Sequence, residues 1–209
     1  PAPRAGFEPR DRVDRPVVIP RLCFMSDGPR GTAGRPLLDV IEALSRGGVD
    51  LVVLRERDWS GAQWTEAARR LEPARRRGLR VVASRRLDVA SALGLDGVHL
   101  GREAVPVREA RIFLGPDALI GYSAHEGDEA RSAAAEGASY VTLSPVYPTT
   151  SKASAKARGC EWLRTASEGL AVPAFALGGV TPARVAEILA SGASGAAAAS
   201  RTRRFTLEW

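Results

Sequence analysis

Two histidines, an arginine pair, a cation-bearing loop and a late glycine pair are the residues of this 209-residue chain whose types and spacing could do chemistry. His99 lies in Asp96-Gly97-Val98-His99-Leu100-Gly101, and His125 in Gly121-Tyr122-Ser123-Ala124-His125-Glu126. Each sits at the end of an apolar run that reads as a strand, and so on the catalytic rim, and imidazole is the side chain whose ordinary pKa suits proton transfer near neutrality. Arg55 and Arg57 follow Leu54 on either side of Glu56. They end the second strand, where alternation points both the same way, so together they could receive a phosphate or carboxylate. The stretch 144–159 holds Thr149, Lys152, Lys156 and Arg158 among Ser, Thr and Ala. Its length and its cations predict a lid that folds over an anion. Near the end, Leu177-Gly178-Gly179-Val180 leads into Thr181-Pro182, a helix start with Thr as cap and Pro in the first turn. Two adjacent glycines let backbone N–H groups approach an anion with no Cβ in the way. Ala199 and Ser200 close the last apolar run, where a following helix would add its own N–H groups. Gly178, Gly179, Ala199 and Ser200 are therefore the expected phosphate cradle. Taken singly, each feature has a plainer explanation: solvated arginines, a linker, a tight turn, a loop histidine.

The elements that must position these residues alternate regularly. Short apolar runs at 21–25, 51–54, 80–83, 97–100, 118–122, 140–143, 174–177 and 195–199 read as eight strands. Between them lie stretches with helical spacing, such as Leu37-Leu38-Ile41-Leu44 and Trp64-Ala67-Ala68-Leu71. Strands that are continuously apolar are buried on both faces, as in a parallel sheet covered by helices. A recurring unit precedes four of the strands: Gly48-Val49-Asp50, Gly94-Leu95-Asp96, Gly137-Ala138-Ser139 and Gly192-Ala193-Ser194. Its glycine ends a helix and turns the chain back toward the sheet. Eight such units allow a closed barrel or a doubly wound sheet. The count, with the glycine pair after the seventh strand, favours a single-domain (β/α)8 TIM barrel over residues 20–209. Residues 1–19 read as a basic, flexible arm, and the nine residues after Ser200 leave room only for a short closing helix.

Composition narrows the function classes. Apolar residues make up 44% and aromatics only 6%, so the core must be built from Ala, Val and Leu. Thirty Lys and Arg against 24 Asp and Glu give a net charge of +6. That charge is spread along the chain rather than gathered in a stripe with interleaved aromatics, so nucleic acid is not the expected partner. No apolar run approaches a membrane span. Cys23 and Cys160 form no CxxC pair, and a reduced, cytoplasmic protein is expected.

The residues just named also form a series in a fixed order. Leu54-Arg55-Glu56-Arg57, Asp96-Gly97-Val98-His99-Leu100-Gly101, Gly121-Tyr122-Ser123-Ala124-His125, Ser144-Pro145-Val146-Tyr147-Pro148-Thr149 with Lys152, and Leu177-Gly178-Gly179-Val180-Thr181-Pro182 follow one another. This series resembles the thiamine-phosphate synthase superfamily, which includes the TenI-type thiazole tautomerases, over about residues 21–200. The resemblance implies one of two activities. Synthases join a thiazole phosphate to a pyrimidine diphosphate with Mg2+ held in part by two acidic residues. At the matching positions this chain has Ser84-Arg85 and Ala104, and Val53 stands where a Gln is usual. The thiazole half of the pattern is better kept. His125 matches the histidine implied to transfer the proton in the tautomerases, a reaction that needs no metal. The sequence expectation is therefore a TenI-like thiazole tautomerase with His125 as acid and base. Gly178, Gly179, Ala199 and Ser200 hold the phosphate, and His99, Arg55, Arg57, Ser123, Thr149 and Lys152 contact the substrate. No cofactor or metal is expected, and a small phosphorylated heterocycle is the partner, with a homodimer left open. A synthase with altered Mg2+ sites and a non-catalytic binding or regulatory protein are the alternatives.

Overall fold

The computed structural model describes residues 20–28, 32, 34–149 and 156–199. Eight strands, β1 (Leu22–Met25), β2 (Leu51–Leu54), β3 (Arg80–Ser84), β4 (Gly97–Leu100), β5 (Leu119–Ala124), β6 (Tyr140–Leu143), β7 (Ala174–Leu177) and β8 (Gly195–Ala199), pair in parallel. The order runs consecutively and closes, with β8 hydrogen-bonded to β1, so the fold is a (β/α)8 barrel. Seven α-helices lie between the strands among the described residues: α1 (Leu37–Arg46), α2 (Gly61–Arg76), α3 (Leu87–Ala92), α4 (Val107–Leu114), α5 (Gly127–Ala135), α6 (Gly159–Ser167) and α7 (Val185–Ala190). The proposed arm at 1–19, the closing helix, Lys152 and Ser200 lie outside the described residues. No described helix is long and apolar enough to cross a membrane.

The repeated Gly-x-Asp/Ser unit has one structural task at all four places. Its glycine takes a positive φ (Gly48 97°, Gly94 58°, Gly137 101°, Gly192 89°), which only glycine adopts without cost. The Asp or Ser two residues later then clamps the start of the preceding strand from both sides. Asp50 N–H donates to the Leu22 carbonyl while its carboxylate accepts from Leu22 N–H at 3.0 Å. Asp96 does the same with Val81 (2.9 Å), Ser139 with Ile120 (3.1 Å) and Ser194 with Ala174 (3.3 Å). The base of the barrel is thus sealed at every second strand by an Asp or Ser at one spacing after the glycine. That is the stability face of such a fold, opposite the mouth.

Two apolar clusters divide the core. The sheath packs the outward faces of the strands on the helices, with Phe24, Val52, Leu54, Ile120 and Val141 against Ile41, Leu44, Trp64, Leu71, Leu163 and Ile188. The axis is filled by Cys23, Met25, Leu51, Val53, Val82, Tyr140, Phe175 and Ala197. The sequence holds few large residues, and the axis depends on pairing them with glycine. A Cβ on Gly121 would collide with the Tyr140 ring and with His99 Nδ1, and one on Gly195 with the Arg21 carbonyl and the Phe175 ring. Tyr140 therefore reaches across the axis only because β5 has no side chain there. It meets Phe175 edge-on, with ring centroids 5.6 Å apart.

Candidate active site

The strand ends carry the candidate residues to one place, the C-terminal mouth of the barrel, but not all at one depth. β5 extends to Ala124 because Ser123 and Ala124 pair with Thr142 and Leu143 on β6. His125 therefore stands directly at the rim. Its Nδ1 lies 2.7 Å from the Ser144 carbonyl, which can only accept, so Nδ1 carries the proton and Nε2 is the basic nitrogen. Its backbone N–H donates to Glu129 Oε2 at 2.8 Å, and the other oxygen of Glu129 accepts from Tyr122 OH at 3.0 Å. One carboxylate in the first turn of α5 thus fixes the loop that carries the histidine.

His99 sits one layer lower than the sequence reading had it. It is buried, on the axial face of β4, not on the rim. Its Nε2 lies 2.8 Å from Ser123 Oγ and its Nδ1 3.0 Å from Tyr140 OH. Burial, reinforced by the charge of Arg55, lowers its pKa from 6.5 to about 4. A neutral imidazole that ties β4 to β5 and β6 is a prop for Ser123, which also lies 3.3 Å from Thr142 Oγ1.

The arginine pair does not act together. β2 ends at Leu54, and the chain then turns, leaving Arg57 exposed. The strand-like alternation that would align it with Arg55 stops there. Arg55 is held instead, its N–H donating to Ser26 Oγ and its guanidinium 2.9 Å from Asp27. Glu56, which the sequence did not single out, turns inward and accepts Gly28 N–H at 3.2 Å. Burial raises its carboxyl above the usual range. Residues 26–28, just past β1, are part of the mouth; their position after a strand end is the only signal that could have marked them.

Across the mouth, Gly178 and Gly179 both take positive φ, 96° and 62°. The constraint is double, because the β6 loop lies against them. A Cβ on Gly178 would stand 2.9 Å from Pro145 Cβ, and one on Gly179 2.7 Å from Tyr147 Cβ. Their carbonyls are occupied, by Tyr147 N–H at 3.0 Å and the Arg184 guanidinium at 2.6 Å. Among the described residues neither amide N–H has an acceptor, the condition an anion cradle needs. Ala199 ends β8 beside this turn, half-buried, and Thr149 is half-buried in the β6 loop. Arg158, expected as a lid cation, is committed elsewhere. It forks onto Glu126 at 2.7 and 2.8 Å and stacks over Trp162, which fastens the β6 loop to the β5 loop.

The positions where the resemblance implies Mg2+ ligands carry no carboxylate. Ser84 is half-buried, Ala104 packs on the core, and Arg85 brings a guanidinium to the mouth. Among the described residues no three His, Cys, Asp or Glu side chains converge. A Mg2+ cradle needs hard anionic oxygens, and this set does not fit one.

Comparison with known proteins gives the family. A Geobacter sulfurreducens protein provisionally assigned as a thiamine-phosphate synthase is 43% identical over 166 residues, 78% of each chain. The thiamine-phosphate synthase of Laribacter hongkongensis is 37% identical over 88% of this chain and 84% of its own. Among solved structures, the thiamine phosphate pyrophosphorylase from Pyrococcus furiosus superposes with a TM-score of 0.75 at 28% identity, covering 86% of this chain and 85% of that one. The family model described as thiamine monophosphate synthase matches residues 22–201, and the chain belongs to that TMP-TENI family.

Proposed function

We propose that the chain joins a phosphorylated thiazole to a pyrimidine diphosphate, the synthase reaction for which its relatives are named, rather than acting first as a tautomerase. The observation that carries this reading is the presence of two separate anion-ready sectors at one mouth. The amides of Gly178 and Gly179 after β7, which show no acceptor among the described residues, suit a phosphate monoester. The guanidiniums of Arg55 and Arg85, after β2 and β3, suit a more highly charged group. In the condensation the thiazole nitrogen bonds to the pyrimidine methylene carbon, the carbon–oxygen bond to diphosphate breaks, and pyrophosphate leaves with the electron pair. Gly178 and Gly179 anchor the nucleophile, and the arginines take up the charge that grows on the leaving group. His125, between the two sectors, orients the ring through Nε2.

A second reading is favoured by His125 itself. An imidazole with Nδ1–H anchored on a carbonyl and Nε2 basic is equipped to move a proton between two carbons of a bound ring, which is the tautomerase step. One experiment separates the two. The purified chain is given thiazole phosphate with pyrimidine diphosphate, and thiamine phosphate and pyrophosphate are measured together. In parallel, carboxylated thiazole phosphate alone is followed for aromatisation by ultraviolet absorbance. Stoichiometric thiamine phosphate and pyrophosphate support the synthase. Aromatisation without coupling, lost in His125→Ala, moves the assignment to the tautomerase. Neither product leaves a binding protein.

A further inference from the structure

We infer that Arg85 is a built-in cation for a diphosphate, so that this chain binds that group without a divalent metal. The inference rests on the synthase reading above but is carried by Arg85 itself. Arg85 follows the last residue of β3, and its φ is +61°, the single positive value among described residues other than glycine. That conformation is disfavoured for any side chain with a Cβ, and where it persists the surroundings hold it in place. What holds it is visible: Arg85 N–H donates to the His99 carbonyl at 3.0 Å, extending the β3–β4 ladder by one bond. The turn sends the guanidinium over the mouth. Nη2 lies 4.0 Å from the point where a Cβ of Gly101 would stand, and Ser123 Cβ lies 3.8 Å from the same point. The cation therefore shares a small open space with the Ser123 end of the His99 network, and Gly101 keeps that space clear.

Its existing partner is weakly held. Both terminal nitrogens reach one oxygen of Glu103 at 3.4 Å, and the Glu103 side chain is 82% exposed. An exposed pair at that distance contributes almost nothing, unlike the close forks Arg86 and Arg158 make. Glu103 is thus a displaceable counter-ion. A diphosphate, with several charges and a geometry that matches a guanidinium fork, would replace it. Arg55, on the next strand round the mouth, supplies a second guanidinium from the same side, 34% exposed and braced by Asp27.

The test uses inorganic pyrophosphate as the probe, titrated calorimetrically into the intact chain in EDTA and again in Mg2+. Wild type is expected to bind in EDTA, with no more than a twofold change when Mg2+ is added. Arg85→Gly is the informative variant, because glycine accepts the positive φ; it should melt no lower than wild type yet bind about ten- to a hundredfold more weakly. Glu103→Gln should bind more tightly than wild type. Arg86→Ala removes an equal charge one residue along, one already forked onto Asp88, and should bind as wild type does. Binding that appears only with Mg2+, binding by Arg85→Gly equal to wild type, or an equal loss in Arg86→Ala overturns the inference. The two readings fail separately: Arg85-dependent pyrophosphate binding without thiamine phosphate formation sinks the synthase alone. Mg2+-dependent synthesis that survives Arg85→Gly sinks the inference alone.

Discussion

Charging His99 is expected to cost the folded chain about 3 kcal/mol, and the cost can be read as a pH-dependent gap between two proteins. In the native barrel the imidazole is buried between Ser123 and Tyr140 and its pKa falls to about 4, against 6.5 for the unconstrained group. One pKa unit corresponds to about 1.4 kcal/mol, so the full shift is worth about 3 kcal/mol. The direction follows from proton counting. Between those two values the unfolded chain binds the proton and the folded chain does not, so acid favours unfolding. Above about pH 7 the effect is absent; by pH 5 about 2 kcal/mol of stability has gone, and the loss levels off below pH 4. Carboxylates titrate over the same range, among them Asp50 and Glu56, whose pKa values burial raises. The measurement is therefore a difference. Urea unfolding of wild type and of His99→Gln, followed by far-ultraviolet circular dichroism from pH 7.5 to 4, cancels the shared terms. Wild type is expected to lead at neutrality and to lose that lead by about 3 kcal/mol as the pH falls. A gap that stays constant within about 0.5 kcal/mol would refute the reasoning, since it would mean that His99 accepts a proton as readily folded as unfolded.

Other predictions follow from single contacts. Gly121→Ala places a methyl group against Tyr140 and His99, and is expected to lower stability by about 3 kcal/mol, measured by urea midpoint; a neutral result would show that the axis is loosely packed. Asp96→Ala removes the acceptor for Val81 N–H and for Arg75 and Arg80 at the base, at an expected cost of about 3 kcal/mol with KM unchanged. Glu129→Ala frees the backbone of His125 and should lower kcat more than it raises KM, while circular dichroism stays native. His125→Ala, under the tautomerase reading, should cost about a hundredfold or more in aromatisation rate with little change in melting temperature.

Much of the fold was legible because its signals are local. Apolar runs, helical spacing and the Gly-x-Asp/Ser unit act within a few residues, and they located all eight strands to within two residues. The strand order needs no long-range information when each strand pairs with the next. The candidate site was legible only where a residue's role depends on its place after a strand, as for His125, Gly178 and Gly179. Roles that depend on depth or on partners were not. Whether His99 lies on the rim or the axis turns on barrel register, and the register brings Gly121 and Tyr140 beside it from other strands. Arg57 fails to join Arg55 because β2 ends at Leu54, before either of them, and Glu56 is turned inward by contact with Gly28, distant in the sequence. Arg158 has the sequence setting of a lid cation, but Glu126 and Trp162 hold it. Sequence fixes what a residue is and where its strand ends; only tertiary packing decides which neighbours desolvate it, neutralise it or leave it open to a ligand. Charge and hydrogen-bonding energies depend on those neighbours and not on the chain alone.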